Sequence, residues 1–187
     1  MNYNITMTKI KVGIVGTGFI GPAHIEALRR LPNIEVAALC EVTIELAEAK
    51  AKQLGISRWY TFEDLLKQDD IQCVHICTPN FLHYSQSKAA LLAGKHVVCE
   101  KPMALHKLDC ESIIYKALQM HRQVFCVMQN RFSPPSEWLK KIVSEKIIGD
   151  VFMVQLNCYW NRDDRYYRNE GWKGTQELDG GTLFTQF

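Results

Sequence analysis

Short apolar runs alternate along this chain with stretches in which apolar residues return every three or four positions. Residues 12–15, 36–40, 71–77, 96–99 and 124–128 have the length and composition of strands buried on both faces. Between them, Ala23, Ile25, Ala27, Leu28 and Leu31 follow helical spacing, as do Leu46, Ala47, Ala49, Ala51 and Leu54; residues 81–92 and 107–121 keep the same rhythm. Gly55 and Gly94 stand just past two of these stretches, where a helix stops. Trp59-Tyr60 reads as a short edge strand, and Thr61 as the cap of a brief helix with an acidic first turn. This repeated alternation predicts an α/β fold with a doubly wound parallel sheet over residues 8–130.

Beyond residue 130 the pattern changes. Pro134-Pro135 reads as a break, residues 137–146 as an amphipathic helix, and residues 151–160 alternate in places like a long strand of an antiparallel sheet with one covered face. Residues 161–187 are rich in Arg, Tyr, Trp and Gly. Residues 131–187 are therefore expected to begin an α+β substrate or oligomerisation domain that is incomplete. Such a sheet leaves an unpaired edge and exposed apolar surface, which predicts self-association or a disordered tail.

Composition narrows the classes. Of the 187 residues, 47% are hydrophobic and 22% charged, the balance of a chain that buries a real core. The net charge of +2, without a basic block, argues against nucleic acid or a membrane surface as the main partner. No run approaches the length of a membrane span and the first ten residues lack a signal-peptide pattern, so a cytoplasmic location is expected. Five of the seven cysteines (Cys40, Cys73, Cys77, Cys99 and Cys126) sit in or beside strand-like runs, where a thiol packs as a small hydrophobe. Cys73, His75 and Cys77 share one strand face, a spacing that invites zinc; a buried strand whose His75 finds a polar partner is the favoured reading, and no metal is expected.

The chemistry concentrates at strand ends. The first run passes into Gly16-Thr17-Gly18-Phe19-Ile20-Gly21, a G-x-G-x-x-G turn in which Gly16 permits the tight turn, Gly18 admits a pyrophosphate and Gly21 lets the next helix pack closely. The helix N-terminus then faces the anion. Glu41 closes the second run 20 residues after Gly21, where an acid accepts hydrogen bonds from the adenosine ribose hydroxyls. Strand, turn, helix, strand and acid together predict a Rossmann domain that binds a dinucleotide. Glu41, with no cation at Val42 or Thr43, predicts NAD rather than NADP. Thr78-Pro79-Asn80 leaves the third buried run at its carboxyl end, and Glu100-Lys101-Pro102 follows the fourth.

With His24 after the glycine turn, His83 after Asn80, Arg131-Phe132, Gly171-Trp172-Lys173-Gly174-Thr175 and Asp179-Gly180-Gly181, these motifs make nearly the whole chain resemble the Gfo/Idh/MocA oxidoreductases. Within that family the likeness is to dehydrogenases that oxidise the 3-hydroxyl of UDP-N-acetylated hexuronic acids for surface polysaccharides, through the Arg-Tyr-Tyr, Trp-Lys-Gly-Thr and Asp-Gly-Gly run. The resemblance implies that Gly16 to Ile20, Glu41, Thr78 to Asn80, Glu100 and Lys101 hold NAD, with Glu100 beside the nicotinamide ribose. His83 is equally well read as a cofactor contact or as a helix cap.

Alcohol oxidation needs a group that takes the hydroxyl proton as hydride leaves carbon, and Lys101 suits that role. X-Pro bonds admit the cis form, making Lys101-Pro102 a candidate. Arg131, Arg165, Tyr166 and Trp172 suit an anionic, ring-shaped ligand such as a sugar or nucleotide-sugar, and equally suit a subunit interface. Many members of the family place an acid after the glycine pair and a histidine four residues later. The matching position here is Thr185, which hydrogen-bonds but is no acid, and the histidine would fall beyond Phe187. The chain is thus expected to be part of a larger enzyme, to bind NAD and to turn over little substrate. A free sugar or inositol dehydrogenase is the alternative within enzymes. An NAD-binding regulatory module is the alternative outside them.

Overall fold

A computed structural model describes residues 8–167 and 171–181. The apolar runs become β1 (Ile10–Val15), β2 (Ile34–Cys40), β3 (Trp59–Tyr60), β4 (Cys73–Ile76), β5 (His96–Glu100) and β6 (Val124–Val127). They form one sheet in the order β3-β2-β1-β4-β5-β6, parallel throughout. Parallel neighbours cannot be joined by a tight hairpin, so the chain crosses over through helices. These are α1 (Gly21–Arg29), α2 (Ile44–Leu54), α3 (Phe62–Leu66), α4 (His83–Leu92) and α5 (Lys107–Gln119).

The strand's two-residue period divides the core into layers. Val12 and Ile14 of β1 pack with Ile25 and Leu28 of α1 and with Ala47 and Ala51 of α2. Val15 joins the opposite layer, where Leu65, Leu91 and Ile113 come from α3, α4 and α5. Local signals set the helix ends. Thr43 Oγ1 accepts the Leu46 N–H at 3.2 Å, Thr61 Oγ1 accepts the Asp64 N–H at 3.2 Å, and Gly55 ends α2 in the left-handed region at φ 64°.

Two expectations beyond residue 130 are corrected. Pro134 and Pro135 do not break the chain: they open α6 (Pro134–Ser144), where a missing N–H costs nothing because the first turn has no acceptor for it. Residues 151–160 form no strand. They run without a sheet partner, and Phe152, Met153, Val154 and Leu156 are exposed. Alternation predicts which side a strand would cover, but a strand exists only when another one supplies its hydrogen bonds, and no described segment does so here. No described helix is long and apolar enough to cross a membrane.

Ile14 lies in the central strand with no exposed surface. Ile14→Ala should cost about 2–5 kcal/mol of unfolding free energy in urea titrations, from lost burial plus the cavity left behind. A loss well under 1 kcal/mol would show that the two layers do not meet the sheet as described.

Candidate functional site

The strand order reverses direction at β1, which pairs with β2 on one side and β4 on the other. The helices that follow β1 and β4 lie in opposite layers, so a crevice opens at the carboxyl ends of these two strands. The glycine turn occupies one lip. Gly16 has φ 86°, and a Cβ there would stand 3.0 Å from the Cys77 carbonyl oxygen. A Cβ on Gly21 would collide with the Gly16 carbonyl oxygen, so only glycine lets α1 start this close to the turn. A Cβ on Gly18 would meet nothing within 4 Å. That open space over a helix N-terminus is what an approaching pyrophosphate needs, and the turn therefore fits a dinucleotide.

Glu41 reaches back from the end of β2 to this turn. Its Oε1 accepts from the Thr17 N–H and hydroxyl, both at 2.5 Å, while Oε2 takes a long 3.4 Å bond from the Val42 N–H. The acid is thus held at the edge of the glycine turn. Phe19, at the tip, is 97% exposed.

The second lip is Thr78-Pro79-Asn80. His83, one of the two readings for which was an exposed cap, is fully buried. Its Nδ1 lies 2.6 Å from the Pro102 carbonyl oxygen and its Nε2 2.8 Å from that of Thr78, so the ring spans the second and third lips from beneath. Asn80 is also buried, and its amide donates to Asp179 Oδ1 at 2.7 Å. Asp179 Oδ2 accepts the Gly174 N–H at 2.7 Å. This buried carboxylate fastens the described residues 171–181 to the turn at the carboxyl end of β4.

The third lip is Glu100-Lys101-Pro102, with a cis Lys101-Pro102 peptide. Glu100 Oε2 accepts the Lys101 N–H at 3.2 Å, and Oε1 lies 2.8 Å from His24 Nε2. His24 Nδ1 in turn lies 2.9 Å from His75 Nδ1, the two rings edge to face. His75 has the polar partner expected of it. Burial, then the neighbouring His24, pushes its pKa down to about 4. Burial also holds the Cys73 thiol up at about 12 and that of Cys77 higher, consistent with small packed hydrophobes. Among the described residues, no group of three or more His, Cys, Asp or Glu is arranged to hold a metal ion.

A cleft of about 660 Å³ joins these lips. Gly18, Thr78, Asn80, Glu100 and Lys101 line it from the sheet; Trp160, Arg162, Tyr166, Trp172 and Lys173 line it from the tail. Tyr166 and Trp172, two of the residues read as suiting a ring-shaped ligand, thus line the cleft. Arg131 and Arg165 are not brought to the cleft. Arg131 sits exposed on a 3₁₀ turn (Gln129–Phe132), and Arg165 is turned outward by Asp163, whose Oδ2 accepts its Nε at 2.8 Å. Their place is taken by Arg162 and Lys173, which sequence reasoning passed over. The Arg162 guanidinium carbon lies 4.2 Å from the Trp160 ring centre and 4.4 Å from that of Tyr166, and Lys173 Nζ is 4.4 Å from the latter. Thr185 lies outside the described residues.

Residues 10–128 match the model of the Gfo/Idh/MocA oxidoreductase family, described as having an NAD-binding Rossmann fold. This chain belongs to that family. NAD is thus the cofactor for which the glycine turn is built. The chain is similar to the WlbA dehydrogenase of Bordetella pertussis, solved with NADH and UDP-GlcNAcA, at 32% identity and TM-score 0.90, over 97% of this chain and 53% of that one. The Chromobacterium violaceum WlbA dehydrogenase, also solved with NADH and UDP-GlcNAcA, gives 34% identity and TM-score 0.89 over 97% and 53%. An inositol 2-dehydrogenase/D-chiro-inositol 3-dehydrogenase of Lactiplantibacillus plantarum is 32% identical over 80% of this chain and 44% of its own length. The chain spans about half the length of these relatives.

The low pKa of His75 sets a pH dependence. Between about 6.5 and 4 the unfolded chain takes up a proton that the folded His75 refuses. The contribution is complete above pH 6.5 and is lost as pH falls toward 4, by about 3 kcal/mol at 1.36 kcal/mol per pKa unit. Urea titrations across this range should show His75→Gln losing less stability on acidification than the parent chain. Parallel curves would contradict the assignment.

Proposed function

We propose that this chain carries the cofactor half and the first wall of the sugar site of an NAD-dependent dehydrogenase acting on a nucleotide-linked hexuronate. Residues 8–130 form the dinucleotide-binding domain, and residues 131–187 begin the substrate domain. The carrying observation is the reach of the structural likeness. It extends over 97% of the chain for the two WlbA dehydrogenases, and over 78% for a scyllo-inositol dehydrogenase of Lactobacillus casei at TM-score 0.71. The wider likeness takes in the tail that carries Trp160, Arg162, Tyr166, Trp172 and Lys173, and those side chains form the far side of the cleft. Two cations stacked on aromatic rings suit an anionic sugar better than a neutral polyol.

Bound NAD supplies the hydride acceptor. Glu41 takes the adenosine ribose hydroxyls, Gly16 to Ile20 take the pyrophosphate, and Thr78 to Asn80 with Glu100 line the nicotinamide half. Lys101, in its neutral form, accepts the hydroxyl proton at Nζ as hydride leaves the sugar carbon; in the reverse direction the ammonium returns it. Holding sugar and cofactor together contributes on the order of 7–11 kcal/mol in favourable cases.

Calorimetric titration of the NADH-bound chain with UDP-N-acetylglucuronic acid should give a saturable isotherm, and myo-inositol should give none. Saturation by myo-inositol alone would favour the polyol reading. Where the whole enzyme turns over, Lys101→Ala should abolish NADH formation even at saturating cofactor; retained turnover would remove Lys101 from the chemistry. Cofactor choice is separable. Unmodified protein should bind NAD more tightly than NADP, and Glu41→Ser with Val42→Arg should move that ratio toward NADP by about tenfold or more, the value of one charged hydrogen bond. Tighter NADP binding by the unmodified protein would end the Glu41 assignment.

A further inference from the structure

Glu100, the last residue of β5, immediately precedes Lys101 and carries a carboxylate. Both oxygens are engaged: Oε2 takes the Lys101 backbone N–H at 3.2 Å, and Oε1 faces His24 Nε2 at 2.8 Å. An ionised carboxylate only accepts, so His24 Nε2 carries the hydrogen of that bond. Removing the imidazole would leave a nearly buried acid, its side chain 12% exposed, with the Lys101 amide as its partner among the described residues.

The place of His24 in the chain matters as much as the bond. It lies in the first turn of α1, three residues after Gly21, and α1 begins so close to the glycine turn that a Cβ on Gly21 would strike the Gly16 carbonyl. The segment that receives the pyrophosphate therefore also carries the imidazole that reaches the end of β5. His75, from β4 between them, faces the remaining ring nitrogen of His24 at 2.9 Å. One of the two facing nitrogens carries hydrogen and the other does not. With hydrogen on His75 Nδ1, His24 accepts from His75 and donates to Glu100, and every bond in the chain is satisfied with both rings neutral. The three side chains come from α1, β4 and β5; Glu100 lines the cleft, and His24 and His75 stand behind it, outside the lining.

We propose that His24 is a positioning residue for cofactor binding. It fixes the Glu100 carboxylate, and through it the backbone of the Glu100-Lys101 turn, in register with the glycine turn on which α1 begins. The inference rests on the reading of the cleft as the NAD site. His24 acts through Glu100, so its effect should depend on Glu100 being present.

NADH fluorescence titration well below each variant's melting temperature tests this with the chain as it stands. His24→Leu should weaken NADH by about tenfold, as expected when a charged acceptor loses its buried donor. His24→Gln should stay within about threefold of the parent, because its amide offers one donor and one acceptor to Glu100 and His75. In a Glu100→Gln background, His24→Leu should change affinity by less than about twofold, the non-additivity expected of groups in one hydrogen-bond network. A purely structural role would lower the melting temperature of His24→Leu without moving NADH affinity, and that result would overturn the proposal. So would an equal loss in both backgrounds. No NADH binding by the parent chain would instead sink the cofactor reading, and this proposal with it.

Discussion

Everything in the site follows from the strand order reversing at β1 in a sheet that is parallel throughout. With β2 on one side and β4 on the other, and the following helices in opposite layers, the carboxyl ends of these strands cannot both be covered. The gap left there brings the glycine turn, the Thr78-Pro79-Asn80 turn and, one strand further, the Glu100-Lys101-Pro102 turn side by side. Parallel pairing enforces it, since parallel strands present the same ends to the same side. A hairpin-built sheet of the same residues would scatter these turns between two edges.

The three turns are not held by the sheet alone. His83 lies between the carbonyls of Thr78 and Pro102, His24 joins α1 to Glu100, and Asp179 ties Asn80 to the Gly174 amide. Each is a polar bond made where little or no solvent reaches, so breaking one leaves a desolvated group without compensation. The lips of the cleft are therefore coupled by a short list of side chains. The described part of the tail is drawn into the same system through the Asp179 carboxylate, which helps a segment without helix or strand to form a wall of the cleft.

Much of this was legible in the sequence wherever the signal is local. The buried runs, the helix cap at Thr61, the stop at Gly55 and the edge strand at Trp59-Tyr60 all depend on residues within a turn or two of each other. The G-x-G-x-x-G turn with Glu41 and the Glu100-Lys101-Pro102 triplet were likewise readable, because each sits at the end of a strand whose register is fixed by burial. What could not be read are contacts that only the folded path decides. His24 meets Glu100 across 76 residues and Asn80 meets Asp179 across 99. In a tail crowded with arginines, the choice of Arg162 over Arg165 turns on Asp163 drawing the latter outward. Residues 151–160 show the converse: an alternating pattern is not a strand until a partner supplies its ladder.

The central claim is that three separate turns form one dinucleotide site. Hydrogen–deuterium exchange of the chain with and without saturating NADH tests it most directly. Slowed exchange should appear together at residues 16–20, 78–80 and 100–101, with residues 151–160 unchanged. Slowing confined to the glycine turn, or lying outside these three segments, would contradict the account.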